Sequence, residues 1–176
     1  MDVQLRLLNK EDATLYRDVR LKSFQDDPYA FSESYEDERL RPISDFEAEL
    51  EILGTPPEWF VLGAFEAEKL VGFVKFRKDL RSKGLHKSMI HAMYVDPSCR
   101  GKNVGKVLVE DLISRVRNLE NMEQIHLWVL HSQKSVSAAN FYKKCGFVSQ
   151  GPMVLKDLKI GKDYIDAEYM VLYLEG

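Results

Sequence analysis

The sequence predicts a mixed α/β fold. A single domain over residues 1–176 holds a twisted central mixed sheet of about seven strands, with helices on both faces. Three observations carry this expectation. Apolar runs of period two alternate along the chain with runs of helical period, the pattern of strands and helices stacked in layers. The 176 residues comprise 45% hydrophobic and 30% charged side chains, an ordinary mixture for a chain long enough to bury one core. No repeat, low-complexity tract or linker-like stretch divides them.

Each element has its own signal. Val3, Leu5 and Leu7 alternate with Gln4 and Arg6, a short strand with one buried face. Asn9 stands as an N-cap with Asp12 three residues on, before a helix carrying Leu15, Tyr16 and Val19. Asp26-Asp27-Pro28 stops that helix. Residues 30–53 are helical in parts, broken near Arg41-Pro42 and ended at Gly54. Residues 59–65 and 70–76, joined by Glu66-Ala67-Glu68-Lys69, predict an antiparallel hairpin. A basic, polar loop over 80–87 precedes a strand over 90–95 that ends at Asp96-Pro97. Gly105, Val109, Leu112, Ile113 and Val116 share one face of a strong helix. Residues 125–130 are almost continuously apolar, which predicts a central strand covered on both sides, with Trp128 in the core. A shorter helix over 135–144 ends at Gly146, with Cys145 and Phe147 expected in the core. The runs 153–160 and 164–174 flank Gly161-Lys162 as a closing hairpin.

Charge and cysteine content exclude several classes. A formal net charge of −3, with Lys and Arg spread along the chain, gives no global field for nucleic acid or an anionic membrane. Cys99 and Cys145 lie outside any Cys-x-x-Cys spacing, so neither a disulfide framework nor a zinc site is expected, and no metal. Residues 1–8 lack the pattern of a signal peptide, and no apolar stretch approaches the ~20 residues of a membrane span. A cytoplasmic location is the expectation.

Chemistry concentrates in Met93-Tyr94-Val95-Asp96-Pro97-Ser98-Cys99-Arg100-Gly101-Lys102-Asn103-Val104-Gly105-Lys106. A buried strand runs into a loop of Arg, Gly, Lys and Asn that opens the strongest helix. The first turn of that helix offers backbone N–H groups without intrahelical partners and the positive end of the macrodipole. Gly101 and Gly105 allow close approach of a ligand, Asn103 tolerates left-handed geometry, and Arg100, Lys102 and Lys106 add full charge. Together they predict a phosphate or pyrophosphate site. A P-loop fails on spacing, because three residues separate Gly101 and Gly105 and Val107 stands where Ser or Thr should be. A Rossmann loop fails because Gly-x-Gly-x-x-Gly is absent. Cys99, beside this loop, is expected to be partly exposed.

The run from Tyr94 to Lys106 resembles the acetyl-CoA pyrophosphate loop of the GNAT superfamily of N-acetyltransferases, with Arg100 opening the motif, Asn103 in place of its middle glycine and Gly105 closing it. Ala138, Phe141-Tyr142, Lys144 and Gly146-Phe147 are similar to the family's segment after its fifth strand, where Ser135 occupies the place of a frequent Asn. The likeness covers nearly the whole chain. It implies a GNAT-like fold and transfer of acetyl from acetyl-CoA to a primary amine by direct attack in a ternary complex. It further implies pantetheine held by the backbone of Met93, Tyr94 and Val95, and pyrophosphate held by Arg100, Gly101, Lys102, Asn103, Val104, Gly105 and Lys106. Ser135 is the matching position for a pantetheine contact, and Tyr142 matches the general acid. The strand 90–95 carries no carboxylate, so the base is left among His91, Glu33, Glu36 and a water relay. The excess of Glu over residues 33–51 suits a cationic amine such as a polyamine or aminoglycoside; the acceptor class implied by the resemblance is a small amine or a peptide. Two alternatives stay open, a catalytically silent acyl-CoA-binding regulatory domain and a protein or peptide N-terminal acetyltransferase. A homodimer joined through the C-terminal hairpin is a further expectation.

Overall fold

The computed structural model describes residues 2–51, 58–134 and 138–174. In chain order the strands are β1 (Gln4–Leu7), β2 (Trp59–Glu66), β3 (Lys69–Lys78), β4 (Lys87–Val95), β5 (Gln124–His131), β6 (Val148–Ser149), β7 (Val154–Ile160) and β8 (Asp163–Tyr173). The helices are α1 (Ala13–Asp26), α2 (Tyr35–Arg39), α3 (Ile43–Leu50), α4 (Val104–Arg117) and α5 (Ala139–Lys144). The eight strands form one sheet in the order β1-β2-β3-β4-β5-β8-β6, and β7 also pairs with β8. Every neighbouring pair is antiparallel except β4 with β5, which is parallel and joined through α4.

Successive strand residues point to opposite faces, and each face has its own core. On one face Leu62 and Val74 pack with Ile125 and Leu127 against Leu108, Leu112 and Val116 of α4. On the other, Val61, Phe65 and Phe73 pack with Tyr16 and Phe24 of α1 and Phe46 and Leu50 of α3. Helices therefore cover both faces, as the sequence pattern predicts.

Local chemistry explains the boundaries. Asn9 accepts from Glu11 N and donates its own N–H to Asp12 Oδ2, each at 2.9 Å, and this box opens a 3-10 turn that runs into α1. Arg6 grips both oxygens of Asp12 at 2.7 Å, fastening β1 to the same turn. Pro42 separates α2 from α3 at the expected break. Gly161, with φ of +58°, makes the β7–β8 turn that an L side chain would strain.

Three expectations need correction. The two-residue β6 was too short to carry a period of its own. The polar loop is trimmed at its end, because β4 starts at Lys87 and pairs Lys87 with Gln124. Strand β5 is not covered on both sides: Ile125, Leu127 and Val129 are buried, while Trp128 is 48% exposed and Cys145 only half-buried. Phe147 is in the core as expected. Gly54, the expected end of the early helical region, and the first residues of the 135–144 helix lie outside the described residues.

Candidate active site

The site begins with a sheet that opens. Strands β4 and β5 pair over only Lys87–Gln124, Ser88–Ile125 and Met89–His126, and no β4–β5 pair is formed beyond them. A bulge accompanies the separation. Lys75 pairs with Ala92 but Phe76 pairs with Ile90, so His91 is the extra residue on β4. In consequence Ile90 belongs to the α4-side core and Ala92, two residues on, to the α1-side core.

The bulge also sets which peptide groups face the gap. Asp96 N–H donates to Val71 O at 2.8 Å, so Val71 and Asp96 form a hydrogen-bonded antiparallel pair. Alternation makes Phe73–Tyr94 the next such pair and turns the peptide groups of Met93 and Val95 away from β3, toward β5. Arg100 Nε, from beyond the strand, reaches the outward carbonyl of Val95 at 3.0 Å.

Two cavities meet at this open edge. The larger, about 790 Å³, lies on the α4 side and is lined by Met93, Val95, Asn103, Gly105, Lys106 and Phe141 among others. The second, about 330 Å³, opens toward the α1–α2 connection, with Phe31, Ser32, His91, Trp128 and Leu130 in its wall. Met93, Tyr94, Val95, Arg100, Ala138 and Tyr142 line both.

The loop expected to bind an anion lies on the α4 side, and its backbone is turned at two left-handed residues. Gly101 has φ of +74° and Asn103 φ of +66°, so Asn103 adopts the left-handed geometry that lets it replace a glycine. Asn103 is the residue before α4, its side chain makes no capping bond, and its carbonyl accepts from Val107 N at 3.0 Å. The N–H groups of Val104, Gly105 and Lys106 precede the first intrahelical bond and point out of the helix end. A Cβ on Gly105 would meet Met93 Cε at 3.2 Å and Phe141 at 3.5 Å, so this glycine keeps the cavity floor open. Lys106 is tied to Glu110 only at 3.7 Å, across an exposed pair. Cys99 is buried, not partly exposed, because a 3-10 turn over Pro97–Cys99 folds its side chain inward.

Tyr142 is buried where the cavities join. Its hydroxyl donates to Met93 Sδ at 3.5 Å, and Phe141 and Phe147 hold its ring edge-on. Burial, then the nearby Cys145, pushes its pKa well above the ordinary phenol value, so the proton is retained. His91 lines the smaller cavity. Its pKa is lowered by burial first, then by Lys75 and Arg77, with Glu33 opposing, so the imidazole is neutral at pH 7.

Glu33 and Glu36 line neither cavity. Glu33 faces Arg20 at 3.4 Å and Glu36 bonds Arg39 at 2.5 Å. Glu38 bonds Arg20 and Arg41, and Glu49 bonds Arg41 and Lys75. Of the glutamates that suggested a cationic acceptor, Glu33, Glu36, Glu38 and Glu49 are thus engaged with the protein's own cations. Arg20 is also sandwiched by Phe24 and Phe31, at 4.5 and 5.1 Å, which fixes the segment that walls the smaller cavity. Tyr94, expected at the cofactor, turns its hydroxyl to Asp26 at 2.5 Å and receives a bond from Lys22 Nζ at 3.0 Å. Lys22 also reaches Asp96 at 3.0 Å, so α1 clamps the end of β4. Ser135 lies outside the described residues. Sequence reading missed Trp128, Phe31 and Ser32; a Trp and a His in an otherwise apolar strand were the available signal for the first. Among the described residues no group of three or more His, Cys, Asp or Glu could hold a metal ion.

Residues 19–147 match the model of the acetyltransferase (GNAT) family. The chain belongs to the GNAT family. It is an acetyl-CoA-dependent N-acetyltransferase. It is 30% identical over 126 residues to the peptidyl-lysine N-acetyltransferase YjaB of Escherichia coli, covering 69% of this chain and 71% of the relative. It is 29% identical over 133 residues to YjaB of Salmonella typhimurium, covering 76% and 73%. A GNAT-family acetyltransferase structure from Streptococcus pneumoniae superposes with a TM-score of 0.82 at 21% identity, over 99% of this chain and 100% of that one. The structure of yncA from Salmonella typhimurium, solved with its cofactor acetyl-CoA, superposes with a TM-score of 0.75 at 17% identity, over 100% and 96%. Among the described residues of this acetyltransferase, no helix is long and apolar enough to cross a membrane.

Proposed function

We propose that this GNAT enzyme passes the acetyl group directly to a primary amine in a ternary complex. The observation that carries the reading is the opening between β4 and β5, where two cavities from opposite faces meet at Met93, Val95 and Tyr142. The outward peptide groups of Met93 and Val95 would pair with pantetheine amides as a strand edge pairs with an added strand. The N–H groups at the start of α4, with Arg100, Lys102 and Lys106, would bind the pyrophosphate. The amine enters through the smaller cavity. Its nitrogen bonds to the thioester carbon as the carbon–sulfur bond breaks, His91 takes the amine proton, and Tyr142 supplies one to the departing sulfur. Neither thiol suits an acyl-enzyme: Cys99 is buried, and burial raises the pKa of Cys145.

YjaB acts on peptidyl-lysine, which supports a lysine side chain as the amine. Strands β1 and β8 share one sheet, which supports residues 1–176 as one domain. Exposed Val154, Leu155 and Tyr164 on the β7–β8 hairpin support pairing of two copies. The test is release of free CoA from acetyl-CoA with a panel of amines. Tyr142→Phe should lower kcat by about 10²-fold while leaving acetyl-CoA affinity nearly intact. Unchanged turnover would remove Tyr142 from the reaction, and absence of CoA binding by calorimetry would sink the whole site.

A further inference from the structure

A third cavity, about 530 Å³, lies at the apex of the β4–β5 opening and shares Met89 and His91 with the amine cavity. Arg77, Lys78, Arg81 and Lys87 line it against a single carboxylate, Asp79. Arg81 is bonded to that carboxylate. Arg77, Lys78 and Lys87 make no ion pair among the described residues, although Lys87 is near enough to help lower the Asp79 pKa. In a chain of formal charge −3, this is a local reversal of sign beside the active site.

Its position is set by register. Arg77 pairs with Met89 on the face occupied by Ala92, the face from which the amine enters. His126 and Tyr169 complete the wall, and the Tyr169 ring lies 4.7 Å from that of Trp128, which lines the amine cavity. An apolar and aromatic floor therefore joins the cationic recess to the place of reaction. Met89 and Met93 lie opposite Arg77 and Val74 of β3, so the bulge leaves three sheet positions between them, roughly 10 Å at about 3.3 Å per residue. A free amino acid holds its carboxylate far too close to its amine to occupy both ends. An extended peptide covers that span in about three residues.

We infer that the acceptor is an acidic peptide segment. Its amine enters the Trp128–Tyr142 cavity while an Asp or Glu three or four residues away sits against Arg77, Lys78 and Lys87. This rests on the direct-transfer reading above and gives its acceptor a class. It also reverses the expectation drawn from the glutamates of residues 33–51, most of which are paired with the protein's own Arg and Lys.

The experiment uses the full chain and two matched peptides, each with one lysine. One carries Asp or Glu three and four residues to either side of the lysine, and the other carries Asn or Gln there. Thiol release gives kcat/KM, and mass spectrometry locates the acetyl group. The acidic peptide should be preferred by about tenfold or more at low salt, with the ratio shrinking as ionic strength rises. The double variant Arg77→Glu, Lys87→Glu should erase or reverse the preference while leaving acetyl-CoA affinity unchanged by calorimetry, which also certifies its fold. Equal rates for the two peptides would overturn the inference. So would a preference that survives the double variant, or small anionic amines reacting as well as the acidic peptide. Failure of acetyl-CoA to bind the unaltered protein would instead overturn the direct-transfer reading beneath it.

Discussion

The two sides of β5 are built from one apolar run, yet they do different work. Ile125, Leu127 and Val129 are buried in the core that includes α4. His126 and Trp128, interleaved with them, look onto open cavities, and Trp128 is half exposed. The cause is helix placement, because α1 and α3 pack on β2 and β3 and leave the far half of that face uncovered. An apolar strand is therefore no guarantee of burial on both sides; the second layer must reach it. Here the side without a helical layer is the one on which the proposed acceptor would enter.

The sharpest break of this contrast is a pair of truncations. Leu127→Ala should cost about 2–5 kcal/mol in stability, the usual range for a core leucine with a cavity left behind. Trp128→Ala should cost less than a fully buried tryptophan would, since half of the residue already meets solvent and no enclosed cavity is left, but should raise KM for the acceptor. Urea unfolding of both variants decides. Equal losses would mean that the two sides of β5 are equally packed.

His91 stands at the bulge between the smaller cavity and the cationic recess, and lines both. His91→Gln should lower kcat by about 10²-fold at pH 7. The sign of its pH dependence follows from its lowered pKa. The neutral form persists below the usual 6.5, so the unaltered enzyme should lose activity only as pH drops through that lowered value. An acid limb unchanged in His91→Gln would assign the proton to another group.

A third test concerns how the opening is held. The Asp96 carboxylate is lowered by hydrogen bonds from Ser98 and by Lys22, and Asp26 is lowered by Tyr94 and Lys22 against the effect of burial. A carboxylate with a depressed folded pKa contributes stability that is present above its unfolded value near ~3.9 and fades as pH falls through its folded value. Asp96→Asn should therefore lower the urea midpoint at pH 7 and narrow the difference between pH 7 and pH 3. An equal slope in variant and parent would remove this clamp from the acid response.

What the sequence discloses about this protein follows from the range of each interaction. The left-handed turn into α4 was legible because Gly101, Asn103 and the helix start are local, and a left-handed Asn needs only its own neighbours. The hairpins and the Asn9 box were legible for the same reason. The bulge at His91 was not, since it exists only when β3 and β4 are laid side by side. Nor was the exposure of Trp128, which depends on where α1 and α3 end, or the pairing of Glu38 with Arg20 and of Glu49 with Arg41. Cys99 looked accessible beside a polar loop, but one 3-10 turn suffices to bury it.

The smallest effect tests the other side of the sheet. Asn103 carries a left-handed backbone and no side-chain cap, so its amide contributes nothing to the helix end within the structure. Asn103→Gly removes a conformational penalty of up to about 1 kcal/mol but loosens the unfolded chain by a comparable amount. Net stability should change by less than about 0.5 kcal/mol. Should CoA be held there by peptide N–H groups, its affinity will survive the substitution, because glycine presents the same backbone. A tenfold loss of affinity at unchanged stability would instead show that the Asn103 amide itself grips a phosphate, and the α4 side would then read its ligand by side chain as well as by helix end.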